Sequence, residues 1–465
     1  ISGLEKTGNI IDKIEKIKAP VYFLGIGGIG MSALARYFNS RGHKVSGYDR
    51  TESELTKQLV KEGMIIHYDD NISLVEKNAA LVIYTPAIPV GHSEFNFLKT
   101  NGFTIIKRSE ALGLITENKL NICVAGTHGK TTTSAMVAHI LRDSGFGCNA
   151  FLGGIATNYN SNFWSSEKNV CVAEADEYDR SFLKLTPDVA VITAMDADHL
   201  DIYGTEKNMQ DAFIEFTQRI KPGGLLIHKQ ELARSKEFKA GKTWTYGARK
   251  ENADSFAQNV TIQNGAYKFD VTINKQTIKN VELNMGGRHN IENTVAAIAI
   301  ARYLDIDEKK IKSAVSSFQG VKRRFEYVLK NNRHILIDDY AHHPEELRAL
   351  ITSAKELYPG KKCTIVFQPH LYSRTRDLAD GFAEVLAIAD EVVLLPIYPA
   401  RELPVEGVNS EMILSKMNIQ QKIVVSKTGL LELLKKNETE LLITAGAGDI
   451  DLLLAEIKSI LVNNN

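Results

Sequence analysis

Lys130 and Thr131 follow a pair of glycines in the run Gly126-Thr127-His128-Gly129-Lys130-Thr131-Thr132-Thr133. Residues of these types at this spacing wrap a polyphosphate. Glycines let backbone N–H groups close on the oxygens, the lysine adds a point charge, and a hydroxyl can ligate Mg²⁺. The spacing is tighter than in the usual loop, which would place a glycine at Val124. A second glycine run, Gly25-Ile26-Gly27-Gly28-Ile29-Gly30, carries the dinucleotide pattern, with an acid, Asp49, about twenty residues further on. Carboxylates and an imidazole collect in two more places, Glu174-Ala175-Asp176-Glu177 and Asp196-Ala197-Asp198-His199. Such groups suit Mg²⁺ bridging β- and γ-phosphates. A basic pair, Arg323-Arg324, precedes a scatter of His342, His343, His370 and Arg374.

The elements that position these groups follow from hydrophobic runs. Val21 to Leu24 predicts a strand into the first glycine run, Met31 to Ser40 a helix out of it, and Lys44 to Tyr48 a second strand ending at Asp49. Ala80–Tyr84 and Thr104–Ile106 continue the alternation, which breaks near Arg108 to Asn118. Asn121 to Ala125 predicts the strand that delivers the phosphate loop, and Ser134 to Leu141 the helix that leaves it. Val170 to Ala173 and Val189 to Thr193 end at the two acidic runs. In an α/β sheet, ligands lie beyond the carboxyl ends of strands, so these acids face the phosphate loop. Val260 to Leu283 predicts a small antiparallel excursion. Gly286 to Asn293 then opens an Ala-rich helix, with Asn290 and Asn293 each either an N-cap or a ligand contact. Strands at His334–Ile337, Thr364–Phe367, Val392–Leu395 and Leu441–Thr444 form a further parallel set whose ends carry Asp339, Tyr340, His342, His370 and Arg374, a polar pocket. The fold class expected is α/β in three domains: Rossmann-like residues 1–110, a central P-loop ATPase-type parallel sheet at 111–320, and a Rossmann-like 321–465.

The 465 residues exceed one core. With 56 basic and 56 acidic side chains the formal charge is zero, so nothing suggests a general nucleic-acid or membrane surface. Cys123, Cys148, Cys171 and Cys363 lack metal spacing and read as reduced thiols of a cytoplasmic protein. No apolar run is long enough to span a membrane, and Ile1 to Lys18 has no signal-peptide core. An initial Ile in place of Met implies a trimmed or replaced start.

Two phosphate cradles and a third domain with a cationic pocket imply a two-substrate reaction driven by a nucleotide. Lys130, Thr131, Glu174 and His199 can position ATP and Mg²⁺, and Arg323 or Arg324 can reach the γ-phosphate. No Ser-His-Asp or Cys-His arrangement stands out. Phosphoryl transfer to a substrate oxygen, followed by attack of a second substrate, accounts for these parts. An NAD-dependent oxidoreductase explains Gly25 to Asp49 but leaves the Lys130 loop idle. A nucleotide-switched binding protein without ligation chemistry is a further alternative.

The motifs, in order, resemble those of the ATP-dependent muramyl ligases over nearly the whole chain. The resemblance rests on both glycine runs, Glu174–Glu177, Asp198-His199-Leu200-Asp201, His289–Asn293, Arg323–Glu326, Asp339–Pro344 and Gln368-Pro369-His370. It implies that the lactyl carboxylate of UDP-N-acetylmuramate is phosphorylated by ATP and that the amine of L-alanine attacks the acyl phosphate, in peptidoglycan synthesis. By the same resemblance Gly27, Gly28, Ile29 and Gly30 hold the UDP-sugar diphosphate. Asp49, His67, Thr85, Ala87 and Ser109 lie near the sugar nucleotide. Gly126, Thr127, His128, Gly129, Lys130, Thr131 and Thr132 surround ATP, with Thr131, Glu174 and His199 on the metal. His289, Asn290 and Asn293 contact the adenosine side, Arg324 the γ-phosphate and Asp339 the ribose. Tyr340, His342, His370 and Arg374 form the alanine pocket. A monomer or homodimer is expected. Some positions depart from the family pattern: Ala194 and Asp196 replace Asn and Glu, and Leu371 replaces an Arg seen in some members. Phe213 falls where later ligases of the pathway carry a carbamylated lysine. Within the family, a recycling ligase that adds a tripeptide is the rival.

Overall fold

The computed structural model describes residues 11, 14–196, 200–247, 253–400 and 402–463, with the backbone alone at 200 and 201. Three sheets organise the chain. The first is wholly parallel, in the order β3-β2-β1-β4-β5, from β1 (Val21–Leu24), β2 (Val45–Tyr48), β3 (Ile65–His67), β4 (Leu81–Tyr84) and β5 (Ile105–Lys107). The order reverses at β1, so the crevice outside β1 and β4 is the place a ligand is expected. Helix α1 (Ile29–Ser40) leaves the loop after β1 and buries Met31, Leu34, Tyr37 and Phe38. The segment where the alternation breaks is itself helical, α2 (Arg108–Thr116).

The second sheet has ten strands. Those framing the phosphate loop are β6 (Leu120–Ala125), β7 (Asn149–Ala156), β8 (Ser161–Trp164), β9 (Val170–Glu174) and β10 (Val189–Ile192). It continues through β11 (Leu225–Lys229), β12 (Lys242–Gly247), β13 (Ser255–Gln263), β14 (Ala266–Ile273) and β15 (Gln276–Leu283). Central β6 lies between β10 and β9, parallel to both, and its five inner residues are buried. That burial on both faces is why the run reads as continuously apolar rather than alternating. The links β13–β14 and β14–β15 are two residues long, which permits only antiparallel hairpins, as expected for Val260 to Leu283. Helix α3 (Lys130–Asp143) starts four residues before the apolar run that predicted it, because the phosphate loop's own threonines form its first turn. Helix α4 (Arg288–Tyr303) likewise begins early, so Asn290 and Asn293 lie inside it and neither is its N-cap.

The third sheet comprises β16 (Glu326–Lys330), β17 (Ile335–Asp339), β18 (Cys363–Phe367), β19 (Glu391–Leu394), β20 (Lys422–Val424) and β21 (Leu441–Ala445), in the order β16-β17-β21-β18-β19-β20. The four strands read from the sequence form its parallel centre. Edge strands β16, which is antiparallel to β17, and β20 add to them. Helices α5 (Pro344–Leu357) and α6 (Tyr372–Leu386) follow β17 and β18.

Two compact units result: residues 1–258, 271–278 and 292–314, and residues 259–270, 279–291 and 315–465. In the first, the five-stranded sheet and the central sheet share a core. Tyr37 of α1 packs its ring 5.5 Å from Phe151 of β7 and 6.0 Å from Phe163 of β8. Each such aromatic contributes about 2–3 kcal/mol by burial. Asn162 of β8, fully buried, donates to the Ile29 carbonyl at 2.6 Å and to Ser32 Oγ at 3.0 Å, and accepts from the Arg36 guanidinium. The first turn of α1 is thereby tied to the central sheet. All four cysteines are buried free thiols, and among the described residues no helix is long and apolar enough to cross a membrane.

Candidate active site

β6 hands the chain to the phosphate loop at Gly126, whose φ is +131°. A Cβ there would stand 2.7 Å from the Ala194 nitrogen and closer still to Thr193 Oγ1, so only glycine fits between β6 and the end of β10. Gly129, at φ +79°, caps α3, and a Cβ on it would meet Asn293 Oδ1 at 2.8 Å. Asn293 therefore lies against the loop. The Thr127 N–H donates to the Ala194 carbonyl (3.1 Å), the Asp196 N–H donates to Thr127 Oγ1 (3.1 Å), and Thr193 Oγ1 donates to the His128 carbonyl. His128 is exposed, 3.8 Å from Asp196 Oδ2, and Thr132 is buried in the first turn of α3. The loop is thus braced from β10 at the N-terminus of α3, an anion site by helix dipole.

Lys130 Nζ donates to the Gly126 carbonyl at 2.7 Å and to Glu177 Oε1 at 2.8 Å. Glu177 is buried; burial pushes its carboxyl up, and the Lys130 charge and hydrogen bond pull it back. The sequence reading quoted Glu177 but gave it no role. Thr131 Oγ1 donates to Glu174 Oε1 at 3.1 Å, and the Gly153 N–H holds Glu174 Oε2 at 2.9 Å. Burial raises the Glu174 carboxyl as well. A half-buried carboxylate beside a hydroxyl is a hard-oxygen pair that fits Mg²⁺, which takes one or two protein carboxylates and completes its shell with phosphate and water. The third expected ligand, His199, lies outside the described residues, and no cluster of three His, Cys, Asp or Glu occurs among those described. Phe213 is fully buried, edge-to-face with Phe182 at 5.2 Å.

In the first sheet, Asp49 Oδ2 accepts from the Gly27 N–H at 2.7 Å and Oδ1 from the Thr51 N–H at 3.2 Å. The acid that would bind a nicotinamide nucleotide's ribose is engaged in holding its own loop. Gly28 and Ile29 are exposed at the start of α1. His67 joins a buried network: its Nε2 is 2.9 Å from the Tyr22 hydroxyl, which donates to Glu94 at 2.6 Å. Thr85 is half-buried, Ala87 is exposed, and Ser109 is the second residue of α2. A cavity of about 390 Å³ joins the two cradles: Gly28, Ile29, Gly30 and Thr85 line it from one sheet, Lys130, Glu174 and Asp176 from the other. Arg108 lines it too, 3.4 Å from Asp176. The sequence reading did not single it out, although like the assigned residues it follows a strand end.

The second unit carries the remaining expected residues. Asp339 accepts from the Phe325 and Ala341 N–H groups, each at 2.7 Å, and burial pushes its carboxyl up to about 6. Arg323 donates to Asp338 (3.1 Å) and to the Gly446 and Gly448 carbonyls (2.6 and 3.3 Å), and lies over the Tyr340 ring. Arg324 is exposed; its N–H donates to the Val321 carbonyl (3.1 Å), and its guanidinium makes no hydrogen bond or ion pair among the described residues. Of the two arginines, it is the one available to a ligand. Asn290 Nδ2 donates to the Gly286 carbonyl (2.6 Å), with His289 exposed beside it. Tyr340, His342 and His370 form a chain of rings 5.4 and 6.4 Å apart. Arg374 Nη1 donates to His370 Nδ1 at 3.2 Å, and burial, Arg374 and His342 all lower the His370 pKa. The imidazole is therefore neutral with its proton on Nε2. Tyr398, missed in the sequence, stacks on His370 at 5.8 Å and 13°. No spacing announces it, because it arrives from the loop beyond β19. Leu371 adopts φ +70°, a strained conformation beside this pocket, and donates its N–H to the Tyr398 carbonyl at 2.9 Å.

Comparison with known proteins matches three family descriptions along the chain: the Mur ligase family catalytic domain at residues 20–120, the Mur ligase middle domain at 124–301 and the Mur ligase glutamate ligase domain at 323–452. The UDP-N-acetylmuramate--L-alanine ligase of Cytophaga hutchinsonii is 48% identical over 447 residues, 94% of this chain and 96% of that protein. The ligase of the same name from Flavobacterium johnsoniae is 48% identical over 448 residues, 96% and 98% of the two chains. Among solved structures, UDP-N-acetylmuramate-alanine ligase from Thermotoga maritima superposes with TM-score 0.81 at 30% identity, covering 96% of this chain and all (100%) of that one. A murein peptide ligase from Psychrobacter arcticus shares the fold at 22% identity, TM-score 0.64, covering 96% and 99%.

Proposed function

The chain belongs to the Mur ligase family, and from that premise we propose how its residues carry the reaction. It is an ATP-dependent ligase that joins L-alanine to the lactyl carboxylate of UDP-N-acetylmuramate in peptidoglycan precursor synthesis. The observation that carries the reading is the shared cavity: a sugar-diphosphate turn and a nucleoside-triphosphate loop open onto one space within a single compact unit.

In this reading residues 1–110 bind the sugar nucleotide, 111–320 bind ATP and 321–465 bind the amino acid. The amides of the Gly126–Thr132 loop and the Lys130 ammonium hold the β- and γ-phosphates. Thr131, Glu174 and His199 are the residues that would hold Mg²⁺, which when bound neutralises phosphate charge as the transfer proceeds. Arg324 serves the γ-phosphate and Asp339 the ribose, with His289, Asn290 and Asn293 on the adenosine side. The lactyl carboxylate attacks the γ-phosphorus, forming the acyl phosphate and releasing ADP. Phosphorylation turns a poor electrophile into one with a good leaving group. The alanine amine, oriented by Tyr340, His342, His370 and Arg374, attacks that carbonyl, and phosphate departs. Neutral His370 presents an Nε2–H and Arg374 a guanidinium, a pair suited to a small carboxylate. A cytoplasmic location fits buried free thiols throughout.

The test is phosphate release from ATP and UDP-N-acetylmuramate with each of the twenty amino acids and with the recycling tripeptide. Alanine-dependent turnover is expected. Turnover with the tripeptide alone would move the assignment to the recycling branch.

A further inference from the structure

The sugar nucleotide brings a diphosphate and a carboxylate into a cavity that already contains Glu174 and Asp176. Two cations line that cavity, Lys130 and Arg108. Lys130 is committed to Glu177 and to the ATP loop. Arg108 is therefore the cation left to meet the incoming anion.

Its position supports that role. Arg108 is the first residue of α2, and its guanidinium lies over the first turn of α1: a Cβ on Gly30 would stand 2.7 Å from Nη1. That turn, the N-terminus of α1, lines the same space through Gly28, Ile29 and Gly30. Three ion pairs run from the β5–α2 junction to the segment after β9: Lys107–Asp179 (4.0 Å), Glu110–Lys184 (3.8 Å) and Arg108–Asp176 (3.4 Å). Burial of Ala111, Leu112 and Ile115 holds the helix without Arg108. The third is long and half-exposed, with side chains 22% and 36% accessible, so it is weak and exchangeable. Asp176 is also a carboxylate, the same chemistry as one of the substrate's anionic groups.

We propose that Arg108 binds the anionic part of the sugar nucleotide through its guanidinium fork, and that Asp176 holds the fork over Gly30 until the substrate displaces it. This rests on the reading of residues 1–110 as the sugar-nucleotide site. The diphosphate and the lactyl carboxylate share the required chemistry, and the experiment separates them.

Calorimetric titration of the full chain with UDP-N-acetylmuramate, with UDP-N-acetylglucosamine (which lacks the lactyl carboxylate) and with ATP is the measurement. Arg108→Ala should weaken UDP-N-acetylmuramate about 10- to 100-fold, the range for a lost charge-assisted pair. Arg108→Lys, which keeps the charge but not the fork, should fall between. ATP affinity should stay within about twofold, which also shows that the variant is folded. Asp176→Asn removes the competing carboxylate and should tighten the sugar nucleotide. If UDP-N-acetylglucosamine weakens equally in Arg108→Ala, the fork reads the diphosphate; if it does not weaken, the fork reads the carboxylate. Unchanged affinity for both in a variant that still binds ATP overturns the proposal. Failure of the unaltered chain to bind either sugar nucleotide would instead overturn the site assignment beneath it.

Discussion

Lys130 sits 2.8 Å from a carboxylate with no solvent exposure, so removing it has two consequences that must be kept apart. Charge stabilisation at the γ-phosphate is lost, at about 10²–10³-fold in turnover for a single well-placed donor. Glu177 also loses this buried ion pair, which costs about 3–5 kcal/mol of stability. Lys130→Ala is expected to lose turnover by at least that factor and to melt earlier, with sugar-nucleotide affinity little changed. Adding Glu177→Gln should recover the melting temperature and leave turnover low; recovery of both would show that Lys130 is only structural. Asp339 gives a second residue-level prediction. Its folded pKa of about 6 exceeds the ordinary 3.8 because burial outweighs its two amide hydrogen bonds, so the folded state holds the proton more tightly than the unfolded one. The associated stability is full below about pH 4 and is lost as pH rises to about 6. Asp339→Asn cannot titrate. It should be less stable overall, since one amide loses its acceptor, and its unfolding midpoint should fall less steeply than the unaltered chain's across that window. Parallel curves would contradict the shift.

At the scale of elements, the strand-loop-helix units were legible because each combines an apolar run with glycines that backbone geometry requires. β6 emerges from Asn121–Ala125 almost at its true bounds, and the loop and α3 follow it in the expected order. The early starts of α3 and α4 were not legible: Thr131–Thr133, and Asn290 with Asn293, read as polar loop and become helix only because neighbouring segments cover them. β16 and β20 escaped for a related reason. Edge strands one face of which is open carry mixed residues such as Glu326, Lys330 and Lys422 and lack a continuous apolar signal. Tyr398 and Arg108 are spatial facts, set by which loop lies beside His370 and which helix lies over Gly30. The loop itself predicts the effect of Gly126→Ala. The added methyl meets Thr193 Oγ1 and the Ala194 nitrogen at a φ that L residues seldom adopt. ATP affinity should drop at least tenfold by calorimetry while UDP-N-acetylmuramate affinity holds; unchanged ATP binding would mean the loop is not the nucleotide cradle.

Across the whole molecule, the phosphate loop and the amino-acid pocket fall in different compact units, while Arg324, Asp339, His289 and Asn290, assigned to ATP, share the second unit with the pocket. The diphosphate turn, the phosphate loop and the Glu174–Thr131 pair belong to one compact unit, and the His370–Arg374–Tyr398 cluster belongs to the other. A neutral chain with 56 charges of each sign leaves binding to these local groups rather than to a general field. If energising the sugar acid and capturing the amine draw on different units, the two halves should separate experimentally. Hydroxylamine added with ATP and UDP-N-acetylmuramate, without alanine, should trap the acyl phosphate as a hydroxamate. His370→Ala and Arg374→Ala should raise the KM for alanine by about tenfold or more, the loss of one charge-assisted contact, yet form hydroxamate at the unaltered rate. Lys130→Ala should form almost none. Loss of trapping in His370→Ala would place that imidazole in the phosphoryl-transfer step, and the pocket around it would no longer be a site for the amino acid alone.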